Sequence, residues 1–196
     1  MADNKVTSKP AARERLLAAA AELFYEAGVQ SVGVDRVTEH AGVTKATMYK
    51  IFGSKDGLVR AYLEQRHERT KARMDAELAA RFATPREKLL GVFEVQGQVF
   101  GDAGFRGCAF VGASAEAQPG SSVEEATREY REWLHDLFVD LAAQAGAEDP
   151  AVLAEQLTML YDGAGISAWM DHNPKVALAS RAVAKSLIDS AIPASA

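Results

Sequence analysis

Apolar residues recur along this chain at intervals of three and four, the spacing of helices that bury one face. Leu16, Leu17, Ala20, Leu23, Phe24 and Ala27 form the first stripe, and Gly28 stops it. Val34, Val37 and Ala41 form a second, shorter stripe ended by Gly42. A third short segment covers residues 44–52, up to Gly53. Ser54 then stands where it can cap a long helix over residues 55–82. Further helix starts follow. Thr84-Pro85-Arg86-Glu87 joins an N-cap, a proline at the first helical position and a capping-box glutamate. Ser121 and Ser122, each three residues before Glu124 and Glu125, offer another capping box. Asp149-Pro150 and Asn173-Pro174 repeat the cap-plus-proline device. In chain order these starts open segments of about 17, 23, 22 and 18 residues. A shorter helix is expected over residues 106–117, closed by Pro119-Gly120. Strand alternation, hairpin dipeptides, solenoid repeats and low-complexity tracts do not stand out. The pattern predicts an all-α fold of about nine helices: three short ones, a long connector and five more. The expected division is a small domain over residues 11–64 and a larger one over residues 65–196, joined within the long helix.

Composition narrows the function classes. The single Cys108 excludes an intramolecular disulfide framework and a cysteine-based zinc site. No apolar run approaches the roughly 18 residues of a membrane helix. The polar residues 1–10 do not read as a secretion signal, so a cytoplasmic protein without membrane partners is expected. Net charge is −5, but unevenly spread. Residues 1–66 carry ten Lys/Arg against eight Asp/Glu, and residues 67–196 carry twelve against nineteen. A weakly basic head on an acidic body suits a chain of which only the head meets phosphate.

Residues 34–52 read as helix, tight turn, helix. Gly42 supplies the backbone freedom of the turn, and Val43 can fill the space between the helices. The second helix carries Thr44, Lys45, Thr47, Tyr49 and Lys50, all hydrogen-bond donors, while Ala46 permits close approach. In a DNA-binding helix-turn-helix this helix enters the major groove, with its flanks on phosphates. Lys55 sets a cation at the positive start of the next helix, a natural phosphate contact.

The run Gly42-Val43-Thr44-Lys45-Ala46-Thr47-Met48-Tyr49-Lys50-Ile51-Phe52-Gly53-Ser54-Lys55-Asp56-Gly57-Leu58 resembles the signature of TetR-type transcriptional regulators, roughly A-G-V-S-x-x-T-L-Y-x-H-F-x-S-K-E-x-L. The resemblance covers about residues 11–64, and weakens beyond. Gly107-Cys108-Ala109-Phe110 and Leu160-Tyr161-Asp162-Gly163 are similar to features of one broad branch of that family. The resemblance implies backbone contacts to double-stranded DNA from Thr44, Thr47, Tyr49 and Lys55, and base or phosphate contacts from Lys45 and Lys50. Two positions depart from the signature: Ile51 replaces the usual His or Tyr, and Gly33 replaces the usual capping Ser or Thr. The resemblance further implies a homodimer on a palindromic operator, a small-molecule effector site in the larger domain, and repression as the common mode.

The larger domain is rich in aromatics, for which core packing is the ordinary role. A subset lining a cavity would take a small apolar or aromatic effector. Phe93, Phe110, Trp133, Leu137, Met159 and Trp169 are the candidates, and Asp162, Glu94 and Glu116 are carboxylates open to either role. Small residues gather near the C-terminus: Gly163, Ala164, Gly165, Ser167 and Ala168, then Ala177, Ala179, Ala182, Ala184 and Ser186. They suit close helix packing, internal or across a twofold axis. An enzyme is not expected: His40, His67, His135 and His172 are scattered, and no phosphate loop, nucleophile elbow, metal-ligand spacing or cofactor motif is present. The competing reading is a helical ligand-binding or interaction module that has lost DNA binding.

Overall fold

Helices α1 (Ala12–Ala27), α2 (Val34–Ala41) and α3 (Lys45–Phe52) fold around the first turns of α4 (Lys55–Arg81). The structure, a computed structural model, describes residues 11–115 and 117–193; the polar stretch 1–10 and Glu116 lie outside them. Helices α5 (Pro85–Gly97), α6 (Ala109–Ala115), α7 (Ser122–Gln144), α8 (Pro150–Met170) and α9 (Val176–Ala191) make nine in all among the described residues, with no strand. No helix there is long and apolar enough to cross a membrane.

Most starts follow the capping chemistry of the sequence. Thr84 Oγ1 accepts from Glu87 N, and the Glu87 carboxylate accepts from Thr84 N at 2.9 Å. These backbone donors hold the Glu87 carboxyl below the usual range. Ser121 caps α7, leaving Ser122 as its first helical residue, and Asp149 caps α8. Three segments differ from expectation. The α9 helix begins only at Val176, because Asn173 Oδ1 accepts from Lys175 N and closes a turn instead of capping a helix at Pro174. The α5 helix stops at 13 residues, where the chain turns to bury Phe100 against Ala164 and Ala168. The α6 helix starts after Gly107, whose φ of +79° is incompatible with helix.

Two apolar cores share α4. The first holds Leu16, Leu23, Phe24, Val37, Met48, Leu58 and Tyr62, with Phe24 and Tyr62 edge to face at 5.7 Å. It runs on into Phe110, Ala113, Val123, Ala126 and Tyr130 of α6 and α7. The expected boundary near residue 64 therefore falls inside both a helix and a continuous apolar cluster. Arg60 adds ion pairs to Glu64 at 2.8 Å, Glu125 at 2.6 Å and Glu129 at 3.1 Å, which orient the start of α4 against α7. The second core packs Met74, Leu89, Phe93, Leu134, Phe138, Leu157 and Ile188.

The small residues near the C-terminus divide by face. Ala164, Gly165, Ala168 and Ala184 are buried within the protomer. Gly163, Ala179, Ala182 and Ser186 are exposed, beside exposed Met159, Met170, Leu178 and Val183.

Candidate nucleic-acid interface and cavity

The turn between α2 and α3 closes on Gly42, at φ +60°, a left-handed conformation that glycine adopts without strain. Val43 N donates to Thr38 O at 3.0 Å, and from α1 Arg15 Nε donates to Ala41 O at 3.0 Å. Thr44 caps α3: its hydroxyl accepts from Thr47 N at 3.2 Å and meets the Thr47 hydroxyl at 2.9 Å. Met48 is fully buried and Ile51 half-buried against the first core, which fixes the rotation of the helix. Thr44, Lys45, Tyr49 and Lys50 consequently share the outer face, with Thr47 half-buried beside them. Ile51 thus serves packing where the signature has a polar ring. Gly33 caps α2 through its backbone, with no side-chain bond.

Lys55 opens α4 next to Ser54, whose Oγ accepts from Gly57 N at 2.9 Å. The remaining N–H groups of that turn and the positive end of the helix dipole lie at the same end as the half-exposed Lys55, a pattern suited to phosphate. Lys45 is placed less simply. Its Nζ lies 2.5 Å from Asp35 Oδ1 on α2, and this carboxylate raises the lysine's pKa through a hydrogen bond and its charge. A Lys45 that contacts DNA has to leave or share this partner. Asp35→Ala is therefore expected to strengthen non-specific DNA binding and to steepen the log–log salt dependence by about one unit per chain. An unchanged slope in a fluorescence titration would leave Lys45 without a phosphate role.

A cavity of about 460 Å³ lies between α4, the end of α5, the loop before α6, α7 and α8. Of the six effector-site candidates, only Phe110 lines it, stacked on Tyr130 at 3.9 Å. Phe93 is instead fully buried in the second core against Phe138 and Tyr161. Trp133 packs on His67 and Tyr130, and Leu137 on the second core. Met159 is 69% exposed on the outer face of α8. Trp169 borders a neighbouring cleft of about 400 Å³, close to Gly107. Of the carboxylates, Asp162 is paired with Arg131 at 2.5 Å, and Glu94 with Arg81 and Arg181. Both are paired within the protein.

The cavity also recruits residues that the sequence did not single out. Arg66, Arg69, Thr70 and Arg73 come from α4, Gln96 from α5, Tyr25 from α1 and Tyr161 from α8. Tyr25 ties the cavity to the DNA-binding head: its hydroxyl donates to Gly107 O at 3.0 Å and accepts from Arg106 N at 2.9 Å. The guanidinium of Arg66 lies 4.1 Å over the Tyr25 ring. Burial pushes the Cys108 thiol up, so it stays protonated at neutral pH.

A helix-turn-helix braced from α1, with a polar α3 face above a helical body, defines a DNA-binding regulator. Residues 16–62 match the family model described as "Bacterial regulatory proteins, tetR family". The chain is 30% identical over 161 residues, 81% of its length and 78% of the relative's, to the HTH-type transcriptional regulator BetI of Rhizobium meliloti (strain 1021). Among solved structures it is similar to SCO4454, a TetR-family transcriptional regulator from Streptomyces coelicolor. That similarity is 33% identity, TM-score 0.86, and coverage of 93% of this chain and 96% of that one. A putative tetR-type regulator, sav143, from Streptomyces avermitilis MA-4680 is 34% identical, with TM-score 0.83 and coverage of 93% and 98%. The chain belongs to the tetR family of bacterial transcriptional regulators. Its all-α fold is that of the family, and the relatives are regulators in their general role, not enzymes.

Proposed function

We propose that this regulator is a cytoplasmic repressor that binds a palindromic operator as a homodimer and leaves it when a small organic molecule occupies the cavity. Residues 11–64 serve DNA and residues 65–196 serve effector and mate. The observation that carries this reading is that one helix, α4, starts beside α3 and lines the cavity with Arg66, Arg69 and Arg73. A ligand there acts on the element that sets the separation of the two α3 helices in a dimer. Each chain has one short reading helix, so two half-sites with centres about one helical turn or a multiple apart are needed for specific affinity. A ligand favouring the unbound geometry by about 1–3 kcal/mol lowers operator affinity roughly 5- to 150-fold.

Unbiased selection of bound DNA, followed by gel-shift titration with and without ligand, tests the reading. Asymmetric sites bound by one chain would overturn it. At the contact level, Lys55→Ala is expected to weaken all DNA sequences alike and to reduce the salt slope by about one per chain, or about two per dimer. Lys50→Ala is expected instead to change preference at one base position, since an extended cation there reaches guanine. Equal slopes for wild type and Lys55→Ala would remove Lys55 from the phosphate contacts.

A further inference from the structure

We propose that the cavity takes an organic carboxylate: a small acid with an apolar, ring-sized body and a separate hydroxyl or N–H donor. This deepens, and rests on, the reading of the cavity as the effector site.

The charge pattern is the first observation. Arg66, Arg69 and Arg73 follow one another at intervals of three and four on α4, one face of the helix, and all three line the cavity. They lie in or beside an acidic body whose other arginines, Arg106 apart, are engaged: Arg81 with Glu77, Arg86 with Asp189, Arg128 with Glu132, Arg131 with Asp162 and Arg181 with Glu94. Arg66, Arg69 and Arg73 form no close ion pair among the described residues, and Arg73 meets a carboxylate only through the longer-range field it exerts on Glu77. Arg66 is covered by the Tyr25 ring. The one carboxylate in the lining is Asp102, on an exposed loop position. Three guanidiniums against one carboxylate favour an anion, and guanidinium forks pair with carboxylates in two parallel hydrogen bonds.

The rest of the lining is rich in aromatic rings. Phe100 and Phe105 meet at 5.3 Å, and Phe110 stacks on Tyr130. Burial lifts the Tyr161 phenol to about 12 and Tyr130 well above its ordinary value, so neither adds negative charge at neutral pH. A bare inorganic anion leaves these rings uncovered. A quaternary ammonium suits the rings and not the arginines.

Gln96 specifies the donor. The residue is 7% exposed, and Nε2 donates to Tyr161 O at 2.8 Å. Oε1 is buried with no partner in the protein, although it belongs to a residue lining the cavity. An amide carbonyl so placed is costly until a donor reaches it, and a ligand hydroxyl or N–H supplies one. The volume of about 460 Å³ suits a single small molecule.

The test is direct binding to the full-length protein without DNA, by calorimetry and ligand-observed NMR. The probes are 4-hydroxybenzoate, 4-hydroxyphenylacetate, 4-hydroxycinnamate and indole-3-acetate, each beside its primary amide, with inorganic phosphate and benzyltrimethylammonium as controls. At least one acid is expected to bind saturably, with its amide about tenfold weaker or more and neither control comparable. Arg69→Gln, at an exposed position, and Arg73→Gln are each expected to weaken that acid about tenfold while leaving the melting temperature and the amide's affinity unchanged. Gln96→Leu is expected to abolish the preference for 4-hydroxybenzoate over benzoate, the same acid without the donor. Amides as tight as acids, binding led by phosphate or by the ammonium, or no acid bound at all would overturn the proposal. Such a failure leaves release by some other ligand standing. An acid that binds and never alters operator affinity would instead sink the effector reading and keep the anion site.

Discussion

Gly163→Arg is expected to yield a folded monomer whose operator affinity is lower by about 10²- to 10⁴-fold, the loss that follows when two linked half-site contacts become one. Gly163 sits inside α8 on its exposed face, and a Cβ built there meets nothing within 4 Å. The protomer therefore accepts the longer side chain, and replacing a glycine inside a helix adds roughly 1 kcal/mol of helix propensity. Met159 and Met170 are also exposed on α8, and α9, which packs against α8, exposes Leu178, Val183 and the small Ala179, Ala182 and Ser186. In a dimer through α8 and α9, arginine at 163 stands where the mate's helix must approach. Light scattering measures the mass, thermal melting the fold, and gel-shift titration the affinity. A variant that stays dimeric at full affinity would move the twofold contact to another face.

Phe138→Ala is expected to cost about 3–5 kcal/mol of stability. Phe138 is fully buried in the second core, 5.9 Å from the Phe93 ring and 6.4 Å from Tyr161. Its removal leaves a hole bounded by two other rings and by helices from three parts of the chain, which can collapse only in part. Against total stabilities of about 5–15 kcal/mol, this takes a large share of the native margin. Urea unfolding at fixed protein concentration checks it. A cost under about 1 kcal/mol would mean that the second core repacks freely.

Much of this architecture was legible from residues with local rules. Thr84-Pro85 and Glu87 announce α5 whatever the rest of the chain does, because the capping box closes within one turn. Gly42 and Thr44 announce the helix-turn-helix for the same reason. Asn173-Pro174 misled because asparagine can close a turn as readily as cap a helix, and the choice depends on packing. The cavity was less legible. Arg66, Arg69 and Arg73 read in one dimension as the solvated face of a long helix, and only the loop before α6 folding over them makes a wall. Phe93 and Trp169 are aromatic and Met159 is large and apolar, properties that suit a cavity wall, a core and an exposed interface alike. But α8 is apolar nearly all round, so its periodicity does not say which face turns inward. The Lys45–Asp35 pair joins two helices across a turn, and sequence spacing gives no measure of that distance.

The Tyr25 contact has a consequence for how much energy the molecule needs to switch. Tyr25 belongs to the first helix of the head, yet its hydroxyl holds the cavity loop through Gly107 O and Arg106 N, and its ring carries the Arg66 guanidinium. A ligand that draws Arg66 away acts on the head through direct contact, with no residue in between. Two hydrogen bonds at about 0.5–1.5 kcal/mol each are together of the order of a whole allosteric coupling of about 1–3 kcal/mol. One phenol can thus carry most of the communication between the two ends of the chain. Tyr25→Phe, which keeps the ring and deletes both bonds, is then expected to separate ligand binding from DNA release: the cavity still fills, and the head no longer responds.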